Sequence, residues 1–257
     1  GFVATSSGSA GSAGKAVKVE MSRDGNTAYV ADSAAGLSIF NISDSTNPSL
    51  LASIDTTSGS AEGLALSIDN NTIYLANGRA GLQLVDVSDP AAPSLAGVYD
   101  TPGIARDVVI APDGNTAFVV ASTGRLQIID VTDPANPSLL AAVTSGLSLT
   151  RAVDISSNGN VLYITDQIGG LVIFDVSDRS NPQNLGVLEV DGRPEDISVS
   201  RDGTKIYLAN STGGLKIINV ENPASPSLLA TFDTGGSAYG VNVSNNDEFA
   251  YVAGSNG

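Results

Sequence analysis

The sequence predicts an all-β fold, a β-propeller of four-stranded antiparallel blades, on three observations. First, one motif recurs as "GLSIFNISDSTNPSL", "GLQLVDVSDPAAPSL", "RLQIIDVTDPANPSL", "GLVIFDVSDRSNPQNL" and "GLKIINVENPASPSL". Its leading leucines, Leu37, Leu82, Leu126, Leu171 and Leu215, lie 45, 44, 45 and 44 residues apart, and such a fixed period marks a repeat architecture. Second, each period divides into four short runs rich in Val, Ile, Leu and Tyr, separated by turn residues, as strands should be. Third, no segment sustains the 3.6-residue apolar period of a helix. A four-stranded sheet with two apolar faces buries both only by stacking on neighbours, which is the logic of a blade.

The third repeat shows the elements in order. Strand A is "RDVVIA" from Arg106, followed by the turn "PDGN" and strand B, "TAFVVA" from Thr116. The Asp-Gly pair supplies the positive φ that a tight hairpin needs. Equivalent turns are "RDGN" from Arg23, "IDNN" from Ile68, "SNGN" from Ser157 and "RDGT" from Arg201. Strand C is the "LQIID" core and strand D is "SLLAAV" from Ser138. Between C and D, the Asp133-Pro134 and Asn136-Pro137 steps force turn or extended backbone, because proline fixes its own φ and restricts the residue before it.

The stretches "LQLVDVSDP" and "LQIIDVTDP" resemble the LVIVD repeat of bacterial and archaeal surface proteins, in five full copies plus partial ones. The resemblance implies a β-propeller and a surface location, with no activity attached. Asn41 and Asn219 replace the strand-C aspartate found at Asp86, Asp130 and Asp175, so that carboxylate is not indispensable.

The repeat also sets the expected boundaries within a single propeller domain, 1–257. They are 15–58, 59–102, 103–146, 147–190 and 191–235 for five blades, and 236–257 for a partial sixth. The strand-B aromatic precedes the strand-C leucine by eight residues in each full repeat, so Tyr251 calls for a leucine two positions beyond Gly257. Residues 2–6 align with strand D and are expected to form the outer strand of the closing blade. Six blades with the last incomplete is the expected count; part of a larger ring is the alternative. Because the chain begins at Gly1 without methionine, it reads as a segment attached to further domains.

Composition narrows the function classes. Twelve Lys and Arg against 27 Asp and Glu leave a formal charge of −15, which repels nucleic acid and anionic lipid. No apolar run is long enough to span a bilayer as a helix, so no direct membrane insertion is expected. Cys, His and Trp are absent, which removes thiolate chemistry and the commonest general base and metal ligand. The expectation is therefore a non-catalytic, secreted or cell-surface module that binds protein or carbohydrate. A structural spacer of a large surface protein is one alternative, and a hydrolase or lyase on a propeller frame is the other.

The candidate site lies where strand A begins and strand B ends, on the face shared by the D-to-A and B-to-C connections. Aligned positions at the start of strand A are Val17, Glu62, Arg106, Arg151, Glu195 and Tyr239; those at the end of strand B are Asp32, Asn77, Ala121, Asp166, Asn210 and Gly254. The polar members, Asp32, Glu62, Asn77, Arg106, Arg151, Asp166, Glu195, Asn210 and Tyr239, are the proposed ligand contacts. Arg106 and Arg151 would be bidentate donors to an anionic group. Alternatively, the two arginines pair with Glu62, Glu195, Asp107 or Asp154 and satisfy a polar channel. No cofactor is expected; calcium or sodium in the central channel stays open, although no stretch matches an EF-hand loop. The aspartates of "DVSDP" and "DGN" have sufficient roles as turn acceptors.

Overall fold

The computed structural model describes residues 15–56, 59–144 and 149–255. All its regular elements are strands, grouped in five four-stranded antiparallel sheets and one of two strands. Blade 1 comprises β1 (Ala16–Met21), β2 (Thr27–Asp32), β3 (Gly36–Asn41) and β4 (Ser49–Ile54). Blade 2 comprises β5 (Gly63–Leu66), β6 (Thr72–Ala76), β7 (Leu82–Asp86) and β8 (Ser94–Tyr99). Blade 3 has β9 (Ile104–Ile110), β10 (Thr116–Ser122), β11 (Arg125–Asp130) and β12 (Ser138–Val143). Blade 4 has β13 (Thr150–Ile155), β14 (Val161–Asp166), β15 (Gly170–Asp175) and β16 (Gln183–Leu188). Blade 5 has β17 (Asp196–Val199), β18 (Lys205–Ala209), β19 (Leu215–Asn219) and β20 (Ser227–Phe232). Blade 6 has β21 (Ala238–Val243) and β22 (Ala250–Gly254). Residues 2–6, expected as an outer strand, lie outside the described residues.

The chain packs as two compact units. One comprises Gly1–Val119 with Ile129–Leu139, the other Val120–Ile128 with Leu140–Gly257. In the first, Tyr29, Leu37 and Ile39 of blade 1 meet Ile73, Leu75, Val85 and Val87 of blade 2. The same positions repeat one blade on, where Tyr74, Leu82 and Leu84 meet Val119, Ile129 and Val131. The second unit repeats them again: Tyr163, Leu171 and Ile173 meet Ile206, Leu208, Ile218 and Val220. Alternation along strand C explains this, because successive residues face opposite neighbours and the motif is apolar on both faces.

Local devices account for the motif's polar letters. In the A-to-B hairpins, the Ser22 hydroxyl donates to Asp24 Oδ1 and accepts from the Thr27 amide, and Ser67 and Ser200 do the same in theirs. In the C-to-D turns, Asp86, Asp130 and Asp175 accept the amide two residues on. Asn41 and Asn219 make the same bond with an amide oxygen, which is why asparagine substitutes there. A second acceptor follows at Asp44, Asp89, Asp133, Asp178 and Asn222.

The glycine before the strand-C leucine is required twice over. Gly36, Gly81, Gly170 and Gly214 have φ between +70° and +84°, a region costly for residues with a side chain. A Cβ on Gly170 would also sit 2.3 Å from the Leu188 carbonyl oxygen. Blade 3 places Arg125 at this position and moves the positive φ to Thr123 and Gly124.

Candidate functional site

Three of the strand-A positions singled out by alignment fall where the A–B ladder breaks. Residue 17 is extra between the Ala16–Asp32 and Lys18–Ala31 pairs, and residue 239 is extra between Ala238–Gly254 and Gly240–Ala253. Arg151 lies in the same irregularity, between Thr150–Asp166 and Val153–Ile164. A bulge frees a side chain from the pleat and re-aims it.

In the second unit, four polar side chains converge. Arg151 Nε and Nη2 both reach Glu195 Oε2, at 3.0 and 2.9 Å. Gln167, just after β14, donates to Glu195 Oε1 at 3.1 Å, and Arg193 donates to Gln167 Oε1 at 3.1 Å. Glu195 is nearly buried while the Arg151 side chain is 36% exposed. Both carboxylate oxygens are oriented, and Oε1, with its single donor, keeps a lone pair for another partner. In the first unit, Arg106 Nη1 pairs with Glu62 Oε2 at 3.2 Å, and Arg106 Nε is buried without a hydrogen-bond partner.

The strand-B ends are engaged in hydrogen bonds with neighbouring loops. Asp166 is fully buried; its Oδ1 accepts the amides of Ile168 and Gly169, and its Oδ2 accepts the amide of Leu149. Asp32 caps Ala34 and Ala35 in the same way. Asn77 donates to the Thr56 carbonyl and accepts from its hydroxyl, and Asn210 donates to the Asp191 carbonyl. These contacts tie the strand-B ends to nearby loops: Asp32 and Asp166 accept backbone amides, which need an acceptor when buried, Asn77 and Asn210 donate to carbonyls, and Asp32 Oδ2 and Asn210 Oδ1 are buried without a hydrogen-bond partner. Tyr239 is half exposed on β21.

One cluster escapes sequence reading. Lys18 donates to Asp107 Oδ1 at 2.7 Å, joining β1 to β9 across the intervening β5. The bond passes at Gly63, where a Cβ would stand 2.4 Å from Asp107 Oδ1. Glu20, two residues along β1, has its carboxyl pushed above the usual range by burial; Lys18 opposes that rise and Asp107 adds to it. Elsewhere the first strands are linked by carboxylates: Asp154 accepts the Val199 amide and Asp196 the Val241 amide. Among the described residues, no group of three or more Asp and Glu is arranged to hold a metal ion.

Comparison with solved structures establishes the fold. A Bacteroides uniformis protein provisionally named a 6-phosphogluconolactonase matches with TM-score 0.80 at 19% identity, over 91% of this chain and 76% of its own. The periplasmic gluconolactonase of Pseudomonas aeruginosa matches with TM-score 0.80 at 17% identity, over 93% and 78%. The β-propeller domain of Cps50 (Swd1) from Myceliophteria thermophila matches with TM-score 0.77 at 13% identity, over 93% and 79%. At these identities the likeness shows the β-propeller fold alone. It nevertheless corrects the expectation of a non-catalytic extracellular binding module, since the neighbours' lactonase names stand nearer the hydrolase alternative and no comparison speaks for extracellular binding. The absence of His and Cys weighed against hydrolysis in the sequence without excluding it, since carboxylates and arginines also move protons and hold oxyanions.

No curated protein matches the chain. The LVIVD repeat matches residues 13–56, 58–101, 102–145, 151–188 and 191–234. With that repeat over most of its length, the chain belongs to the LVIVD repeat family.

Proposed function

We propose that this chain is a hydrolase-type propeller that opens a lactone of a polar, polyhydroxylated acid, with Arg151, Gln167, Arg193 and Glu195 as its site. The observation that carries the reading is the Glu195 carboxylate oriented by Arg151 and Gln167, with the Arg193 guanidinium joined to it through Gln167. The lactonase names among proteins of the same fold support it.

In the proposed reaction, Glu195 takes a proton from the water that attacks the lactone carbonyl, and a guanidinium stabilises the oxygen that gains charge. The ring C–O bond then breaks, the alkoxide recovers the proton, and the product is the hydroxy acid. Arg193, held only through Gln167, would meet an anionic substituent on the substrate. A location outside the cytoplasm belongs to the same proposal, supported by the resemblance of the repeat to that of surface proteins, and cell fractionation checks it.

The test is acid release from δ-gluconolactone followed in a pH-stat against its spontaneous hydrolysis. Glu195→Gln should lower the enzymatic rate by about 100-fold or more, as loss of a general base does. Arg193→Ala should raise KM for a phosphorylated lactone more than for the neutral one. No rate above the spontaneous one, across neutral and phosphorylated lactones, would sink the proposal.

A further inference from the structure

In the four-stranded blades, the residue after the motif's leucine is buried each time: Ser38, Gln83, Gln127, Val172 and Lys216. Only blade 5 places a charge there. Lys216 is 3% exposed, and lysine is rarely buried so fully unless it is paired. Its Nζ reaches Asp191 Oδ1 at 2.7 Å, although the Asp191 side chain is 91% exposed. Such a pair adds little stability by itself, because desolvating the ammonium offsets the attraction. Its effect is on the loop that carries Asp191.

Asp191 lies in the connection from β16 to β17, which also carries Arg193 and leads into Glu195. Asn210 Nδ2 donates to the Asp191 carbonyl at 2.5 Å, so blade 5 grips this residue by backbone and side chain together. Gly192 then turns with φ +102°, where a Cβ would stand 2.6 Å from Asn210 Nδ2. Pro194 is buried and restricts the backbone of Arg193 before it, and the Glu195 amide donates to the Ala209 carbonyl. Arg193 is thus an exposed arginine on a loop fixed on both sides. Among the described residues its guanidinium bonds Gln167 Oε1 alone, which leaves the rest of its N–H fork for an anion.

We propose that Lys216 is a positioning residue for Arg193, a role that rests on the reading of Arg151, Gln167, Arg193 and Glu195 as a ligand site. Through Asp191 it fixes the 191–195 loop and so sets a preference for ligands with an anionic substituent, such as a phosphate ester. A loop ordered in advance spares the ligand the cost of ordering it. Paired with Lys216, Asp191 also repels an arriving anion less than a free carboxylate would. The hydrogen bond from Lys216, and then its charge, hold the Asp191 carboxyl below its ordinary range.

Calorimetric titration of the intact 257-residue chain with gluconate and with its 6-phosphate tests this without relying on turnover. Wild type should bind the phosphate ester more tightly. Lys216→Met should weaken the phosphate ester about 10-fold and gluconate less than about 2-fold. It exchanges a buried ammonium for an apolar chain of similar length, a change that is often neutral or stabilising. Asp191→Ala added to Lys216→Met should cost nothing more, as for two residues acting through one contact. Asp191→Asn, which keeps an acceptor for Lys216, should keep the preference or strengthen it. An unchanged preference in Lys216→Met, equal weakening of both acids, a further loss in the double variant, or a loss in Asp191→Asn as large as in Lys216→Met overturns the proposal. If the preference is lost as expected but wild type hydrolyses no lactone, the hydrolase reading falls and the role of Lys216 stands. Wild type that binds neither acid, or both equally, overturns the role of Lys216 whatever the turnover.

Discussion

Blades 4 and 6 are written in the same repeat yet differ in what the repeat achieves. Tyr163 in β14 is buried at 1% exposure, and burial together with the Asp154 charge pushes its phenol up to about 12. Tyr251 in β22 occupies the same place and is 63% exposed. The outer strands show the same gradient: β16 covers its inner end, whereas β20, beside the two-stranded blade, is exposed along its whole length. A residue's burial here belongs to its neighbour as much as to its own strand, as expected for a stack held by nearest-neighbour interfaces.

Four substitutions test that difference. The largest effect is expected from Tyr163→Ala, which opens a cavity between packed blades and should cost about 3–5 kcal/mol; Tyr251→Ala should cost less than about 0.5 kcal/mol. Urea denaturation of both variants measures this, and equal losses would mean that blade 6 is packed in solution. Next comes Asp166→Ala, which removes the acceptor of three amides in blade 4 and should cost about 2–3 kcal/mol. Position 254, its counterpart in blade 6, is already a glycine and has no such cap to lose.

The smallest effect compares hairpins. Asp202 in blade 5 is held down to about 2 by its bonds with Ser200 and Thr204, and blade 6 has Asn246 in its place. A depressed carboxyl contributes stability that is complete above its ordinary value of 3.8 and is lost as pH falls toward 2. Asp202→Asn should therefore narrow the stability gap to wild type across that window, read as the difference in urea midpoint at each pH. A gap that does not change with pH would assign the bond to geometry rather than charge.

Much of this architecture is legible in the letters. The period gives the blades, the Ser-x-Asp and Asp-Val-x-Asp spacings give the turns, and the glycine before the leucine marks where φ turns positive. All of these are contacts within a few residues, so the chain order carries them. The site is less legible. That Arg151 finds Glu195 and Arg106 finds Glu62 was one of two readings open in the sequence, because pairing depends on how adjacent first strands line up. The Lys18–Asp107 bond was not readable at all, since it requires Gly63 on a third strand to leave the passage clear. Asp32 and Asp166, read in the sequence as ligand contacts, accept local amides in the structure; capping and binding draw on the same residue types.

The carboxylates that join first strands also say how this molecule should respond to load. Blade 6 is attached to blade 5 through the Asp196–Val241 bond, the bonds of the Arg201 and Asp202 amides to Asp247 and of the Arg201 guanidinium to the Asn245 carbonyl, the two bonds of the Ser211–Ala238 bridge and a small apolar cluster around Leu215 and Val241. The joint between blades 4 and 5 has a comparable carboxylate bond, Asp154 to Val199, but a larger apolar cluster behind it. Pulled from its C-terminal end, the chain would yield first at the Asp196 clasp, releasing one blade as a discrete step before the next joint feels the strain.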